Sequence, residues 1–360
     1  MERRLYRSLP SPGFVLAVLL LMLPLSVRPD TADEPYNAGW ALHIDNDLIF
    51  SSGNDQDYTG GVALTLSGAR ADHLWWAPSR WRRQIDRWIG LDACLPPGTL
   101  MLHAAEAGFA LFTPIDLQQS SPQPDDHPYA SLFFVVNSKQ YVLPESKLSL
   151  TSTLTLGALG LSVGGEVQQR IHRAIGATQP NGWAHQISAG GEPTARYTLG
   201  LQRTLIDHRS TTGLDAELSL AGEANLGFTT DINAGLSLRV GRLSTPWWGF
   251  KPHQAEYVNL GAPVPLGDLR RGAGEIFAYA GANVKLRAYN ALLQGQFRHS
   301  AVSFGRSELH DVLREVWAGI SYEMHNRLKL TLFLRGRSAE IRNAKARQPV
   351  WGGFVVSKSY

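Results

Sequence analysis

The chain has 360 residues, 44% of them hydrophobic, and a formal charge of +3. That apolar share excludes a disordered protein, and a near-neutral balance without a block of like charges excludes a nucleic-acid arm. A single cysteine, Cys94, rules out an internal disulfide and a cysteine-built metal site.

Arg3, Arg4 and Arg7 precede an apolar run from Phe14 to Leu25, and a polar stretch with prolines follows from Arg28 to Pro35. This order predicts a secretory signal peptide over 1–32, cleaved near Ala32, because the run is shorter than the roughly 20 residues of a spanning helix. Residues 33–360 then form one exported domain. No later segment reaches about 18 consecutive apolar residues, so a membrane domain would have to cross with strands.

The first polar segment of the exported part is His43-Ile44-Asp45-Asn46-Asp47, followed by Asp55-Gln56-Asp57-Tyr58-Thr59-Gly60-Gly61. It reads as the tip of a hairpin, and Asn and Asp are common there because they satisfy their own backbone. The same carboxylate, amide and hydroxyl oxygens suit a hard cation such as Ca²⁺ better than zinc. Ile49 stands where an EF-hand loop needs a ligand, so that motif is excluded.

From there the dominant period is two. Leu148, Leu150, Leu154 and Leu156 alternate with Ser149, Thr151, Thr153 and Thr155, and Leu328, Leu330, Leu332 and Leu334 with Lys329, Thr331, Phe333 and Arg335. Several runs exceed ten residues, the length a tilted strand needs to cross a bilayer with one face toward lipid and the other toward a polar lumen. Twelve strands are predicted, near 38–48, 58–68, 101–113, 129–142, 147–159, 193–205, 211–225, 230–242, 273–288, 311–324, 326–341 and 348–360. The fold class is therefore all-β, a closed antiparallel transmembrane barrel with short helices in its connections. The last strand ends in the aromatic Tyr360.

An even count places both chain ends at the periplasmic side and the connections 48–57, 114–128 and 160–192 on the opposite rim. The third contains a helix with apolar spacing at Val167, Ile171, Ala174 and Ile175 and a glycine stop at Gly176. Two periplasmic connections are long. Residues 69–100 include an amphipathic helix from Ser79 to Trp88, with Trp75, Trp76, Trp81 and Trp88 in or near it, and 243–271 include Trp247, Trp248 and Phe250; both read as interfacial aromatic anchors.

His172, on the rim helix, is the main candidate for proton transfer, although a lone histidine on an amphipathic helix is often structural. Beside a divalent cation near Asn46 and Asp47 it would activate water for ester hydrolysis without a covalent intermediate. Gly160-Leu161-Ser162-Val163-Gly164 matches a nucleophile elbow and offers an alternative, a barrel phospholipase using Ser162 with His172. A third reading is a non-catalytic barrel, a porin or structural protein, whose aspartates bind cations bridging lipopolysaccharide.

Asn46-Asp47, Asp57-Tyr58-Thr59-x-Gly61, Asp126-x-Pro128-Tyr129-Ala130, Glu166-Val167-Gln168 with His172-Arg173-x-Ile175-Gly176, Gly182-Trp183-x-x-Gln186 and Tyr289-Asn290-Ala291-Leu292-Leu293-x-Gly295 together resemble the lipid A deacylases of Gram-negative outer membranes. The resemblance implies a Ca²⁺-dependent esterase in the outer membrane that removes the 3′-linked acyloxyacyl group of lipid A, the lipid part of lipopolysaccharide. It implies His172 as the base, Asn46, Asp47 and Thr59 around the cation and carbonyl, and Asn46 and Asp47 as metal ligands. Arg170, Arg173 and Tyr129 are expected to meet the substrate, and the barrel is expected to be monomeric. Thr178 departs from the pattern, standing where a characterised member has a functional glutamate, and 118–126 lacks a lysine present there.

Overall fold

In the computed structural model the described residues are 34–47, 57–91, 93, 95–211, 213–254 and 274–360. The proposed signal peptide, Cys94 and Asp55 lie outside them. Twelve strands form a closed barrel in which each pairs with its chain neighbours. They are β1 (Gly39–Asn46), β2 (Asp57–Ser67), β3 (Leu100–Thr113), β4 (Ala130–Leu143), β5 (Leu148–Leu159) and β6 (Glu192–His208), then β7 (Asp215–Gly227), β8 (Thr229–Arg242), β9 (Ile276–Asn290), β10 (Val312–Glu323), β11 (Leu328–Arg337) and β12 (Val350–Ser359). Antiparallel pairing from Gly39↔Ser359 to Asn46↔Gly352 closes the cylinder and removes both sheet edges. All twelve match strands read from the sequence.

Period two decides which way each side chain points. On β9, Ile276, Val284 and Leu286 are exposed toward lipid, while Phe277, Tyr279, Asn283, Lys285 and Arg287 are buried in the lumen. The lumen is crossed by ion pairs rather than left open. Arg239 meets Glu217 at 2.7 Å, Arg337 meets Glu315 at 2.9 Å and Glu340 at 2.9 Å, Arg287 meets Glu340 at 2.8 Å, and Arg335 also pairs with Glu315.

The second long connection corrects one expectation. Trp247, Trp248 and Phe250 are not at the membrane interface: residues 243–254 fold into the lumen as a plug. Gln202 Nε2 donates to the carbonyls of Trp247 (3.1 Å) and Phe250 (3.2 Å), and Gln140 Nε2 to that of Trp248 (2.9 Å). Trp247 packs on Leu102 and Val142, and Phe250 stacks edge-on against Phe277 and Tyr279. The reason is hydrogen-bond satisfaction: two lumen-facing amides meet carbonyls that an inserted loop would otherwise bury without partners.

Gln140 and Gln202 face the lumen, so odd-numbered residues on β4 and β6, such as Asn137 and Tyr197, face outward. They do not meet lipid there. The helix α1 (Ser79–Trp88) lies over them on the outer wall. Arg82, fully buried, donates to Asn137 Oδ1 (2.6 Å) and pairs with Asp86, which accepts from Ser152 (2.6 Å) and from the Tyr197 hydroxyl (2.7 Å). Trp75, Trp81 and Trp88 remain 94%, 60% and 76% exposed, as an interfacial role requires. The segment is thus both anchor and cladding.

Breaking a buried ion pair leaves charges without their partner, so Glu315→Ala should destabilise the barrel by about 3–5 kcal/mol. The unfolding midpoint in urea measures this, and a loss no larger than that of an exposed lysine substitution would refute it.

Candidate functional site

Parity also builds the site. On β1, His43 sits edge-on to Phe333, and Asp45 accepts from the Tyr58 hydroxyl at 2.6 Å, both on the lumen side. Asn46, one residue on and opposite Gly60, therefore faces outward. A bulge between Tyr58 and Gly60 sets Thr59 apart, and its hydroxyl lies 2.7 Å from that of Thr113. Thr113 faces outward on β3. Asp47 follows β1 and is 2% exposed.

The rim helix α2 (Ser162–Ile175) packs on the same outer face. A Cβ on Gly164 would stand 2.6 Å from Ser131 Cβ and 3.1 Å from Leu111, so glycine is what lets the helix lie this close to β3 and β4. Gly176 ends the helix in the left-handed conformation at φ 72°. The face turned toward the wall is not the apolar one. Gly164, Gly165, Gln168 and His172 are buried, whereas Val163, Ile171 and Ile175 are exposed. Gln168 accepts from the Trp183 indole (2.8 Å), and Ser131 donates to Gln186 (2.9 Å), giving this polar underside partners.

His172 is 4% exposed, and its Nδ1 lies 2.5 Å from the Thr178 carbonyl oxygen. A carbonyl only accepts, so Nδ1 carries the proton and the basic lone pair of the neutral ring is on Nε2. The orienting group is a backbone atom. The residue type at 178 therefore does not decide the tautomer.

Asn46, Thr59 and His172 thus share the outer side of the wall at one rim. Arg170 and Arg173 are on the exposed side of α2 beside Ile171 and Ile175. Tyr129 is 4% exposed, donates to the Leu117 carbonyl (3.3 Å) and packs at a tilt against Trp183 at 5.0 Å, in the floor under α2. Ser162 and His172 are ten residues apart on one helix, roughly 15 Å along its axis, which separates the two members of the alternative dyad. In the sequence Thr113 stands only within a strand, and Gln168 and Gln186 only within motifs, without the supporting role that their hydrogen bonds show. The signal for Gln168 was its i, i+4 spacing to His172.

Two aspartates of the motif have structural roles. Arg347 Nη2 donates to Asp57 (2.8 Å) and Asp126 (2.5 Å), clasping the rim, and Asp126 also accepts from the backbone of Ile115 (3.1 Å) and His127 (2.7 Å). Burial would raise the Asp126 carboxyl, but Arg347 and these N–H groups outweigh it and hold it below the usual carboxylate range. Among the described residues no group of three or more His, Cys, Asp or Glu side chains could hold a metal. The oxygen donors at this corner are the Asn46 amide, the Asp47 carboxylate and the Thr59 hydroxyl, a set that fits a hard cation such as Ca²⁺ completed by water and substrate oxygens rather than zinc.

A sequence profile of the family described as outer membrane protein LpxR matches residues 14–360. Among solved structures, LpxR from Salmonella typhimurium is similar with a TM-score of 0.68 at 15% identity, covering 90% of this chain and 100% of that chain, which shows the fold. The beta domain of the Bordetella autotransporter Brka gives a TM-score of 0.43 at 11% identity, over 90% of this chain and 100% of that one. No curated protein matches significantly.

Because the carboxyl of Asp126 is depressed in the folded state, its bonds to Arg347 and the backbone contribute stability that is present above pH of about 4 and lost as pH falls further, whereas burial raises the Asp57 carboxyl, so that arm of the clasp takes up its proton first. Pepsin should therefore cut within 114–128 faster at pH 2 than at pH 4 after correction for its own activity, and Arg347→Ala should show the faster cutting at both. An unchanged ratio would dissociate the clasp from rim order.

Proposed function

The chain belongs to the family of outer membrane protein LpxR, and from that premise we propose that it is an outer-membrane esterase that hydrolyses the 3′-linked acyloxyacyl ester of lipid A. The feature that supports this reading is that His172, its Nδ1 fixed, sits on a helix packed against the outer, lipid-side face of the wall, the face to which Asn46 and Thr59 also belong. An ester in the outer leaflet reaches such a site laterally. It need not enter a lumen.

His172 Nε2 takes a proton from water, the resulting hydroxide attacks the ester carbonyl, and the imidazolium returns the proton to the departing sugar oxygen. Thr178 holds the ring by its carbonyl throughout. The Asn46 amide and Thr59 hydroxyl supply hydrogen bonds for the negative oxygen that develops. Asp47 and Asn46 would hold Ca²⁺, which when bound supplies a Lewis acid for that same oxygen. Arg170 and Arg173, exposed on α2, would pair with phosphates on the sugar core, and the exposed Ile171, Ile175 and Val163 would offer apolar surface to acyl chains. One copy of the chain carries all these groups, so the working unit is a monomer.

The filled lumen argues against a porin, and the roughly 15 Å between Ser162 and His172 argues against a serine esterase. His172→Ala should lower deacylation by about 10²–10⁴-fold, the usual value of a general base, with Asp47→Asn and EDTA also strongly inhibitory and Ser162→Ala near wild type. Mass spectrometry of lipid A from cells producing each assembled variant reads the outcome. Full activity of His172→Ala would remove the proposed base.

A further inference from the structure

The lumen holds a second polar site that chemistry at the rim does not use. Between the plug and the wall of β1 and β9–β12 lies a cavity of about 110 Å³. Its lining includes His43, Lys251, Trp317, Lys329 and Arg335 and, among the described residues, contains no aspartate or glutamate. Trp317 is 3% exposed, and its indole N–H finds no acceptor among the described residues. His43 is 2% exposed and neither ring nitrogen is hydrogen-bonded among the described residues; Asp45 Oδ2 stands 3.5 Å from Nε2, beyond good bonding distance.

The three cations are not equivalent. Lys329 already pairs with Glu275 and Arg335 with Glu315. Lys251 makes no ion pair among the described residues and only donates to Gln140 Oε1 at 3.2 Å. Burial pushes its ammonium down to about 8, with Glu223 opposing that shift. A water could accept from Trp317, but it would bring no charge to a buried ammonium.

We propose that this cavity binds one small oxyanion of phosphate or sulfate size, accepting from Trp317 and Lys251, with His43 beside it and Lys329 and Arg335 adding positive field. The volume accommodates a tetrahedral ion and a water. Lys329 and Ser357 are near the barrel end where β12 terminates, the end from which the plug enters, so the ion arrives from that side. It would lock plug to wall by bonding to Lys251 on the first and Trp317 on the second.

The test is calorimetric titration of the full chain, assembled in detergent, with inorganic phosphate at pH 7 and constant ionic strength. One saturable site per chain is expected. Trp317→Phe and Lys251→Met should each weaken it by about tenfold or more, the worth of one bond to a charged group. Heat-modifiable gel migration verifies that each variant is assembled. Arg347→Ala, which removes a rim cation, should leave binding unchanged. Overturning results are no saturable binding in the wild type, equal affinity in Trp317→Phe and Lys251→Met, or loss of binding in Arg347→Ala.

Discussion

The constraint on which the molecule depends is that its wall is one residue thick. Closing the sheet leaves no edge, and each successive side chain then has to serve either the inside or the outside. Adjacent residues therefore do unrelated work. Asp45 binds Tyr58 within the lumen while Asn46 faces the opposite way, and Tyr58 and Thr59 divide similarly with the help of a bulge. A site on the outer face can be built from alternate residues without disturbing the packing inside.

The inside and outside are stabilised by different means. Inside, arginines and glutamates are matched, several of the arginines over aromatic rings such as Trp317 and Trp351, and the plug contributes carbonyls to lumen-facing glutamines. Buried pairs of this kind add little net stability, but they fix geometry because losing one partner is costly. Outside, β7–β11 offer bare Leu, Ile and Val to lipid, whereas α1 lies over part of β4 and β5 and α2 packs on the rim end of β3 and β4.

The strands were legible because alternation at twelve places reports a two-faced wall directly, and the even count put the polar connections on one rim. The rim helix was legible too, with its stop at Gly176, but its orientation was not. Its apolar residues suggested the buried side, yet Gln168 and His172 pack inward because Trp183, Thr178 and a glycine contact with Ser131 receive them. The tryptophans at 247 and 248 misled for a related reason. An aromatic side chain suits a substrate surface, an interface or a packed interior equally well, and local sequence does not say which. His172 lies on the rim helix that the apolar spacing marks, while its backbone partner at 178 depends on a turn that spacing does not encode.

The cladding by α1 has a consequence for biogenesis. Asn137 and Ser152 point toward what would be hydrocarbon if the helix were absent, and each polar group left there without a partner would cost several kcal/mol. A nascent cylinder cannot enter the bilayer first and dress itself later at that flank. Residues 69–91 must dock on β4 and β5 before or during insertion, so the order of assembly is written into a handful of hydrogen bonds on the exterior.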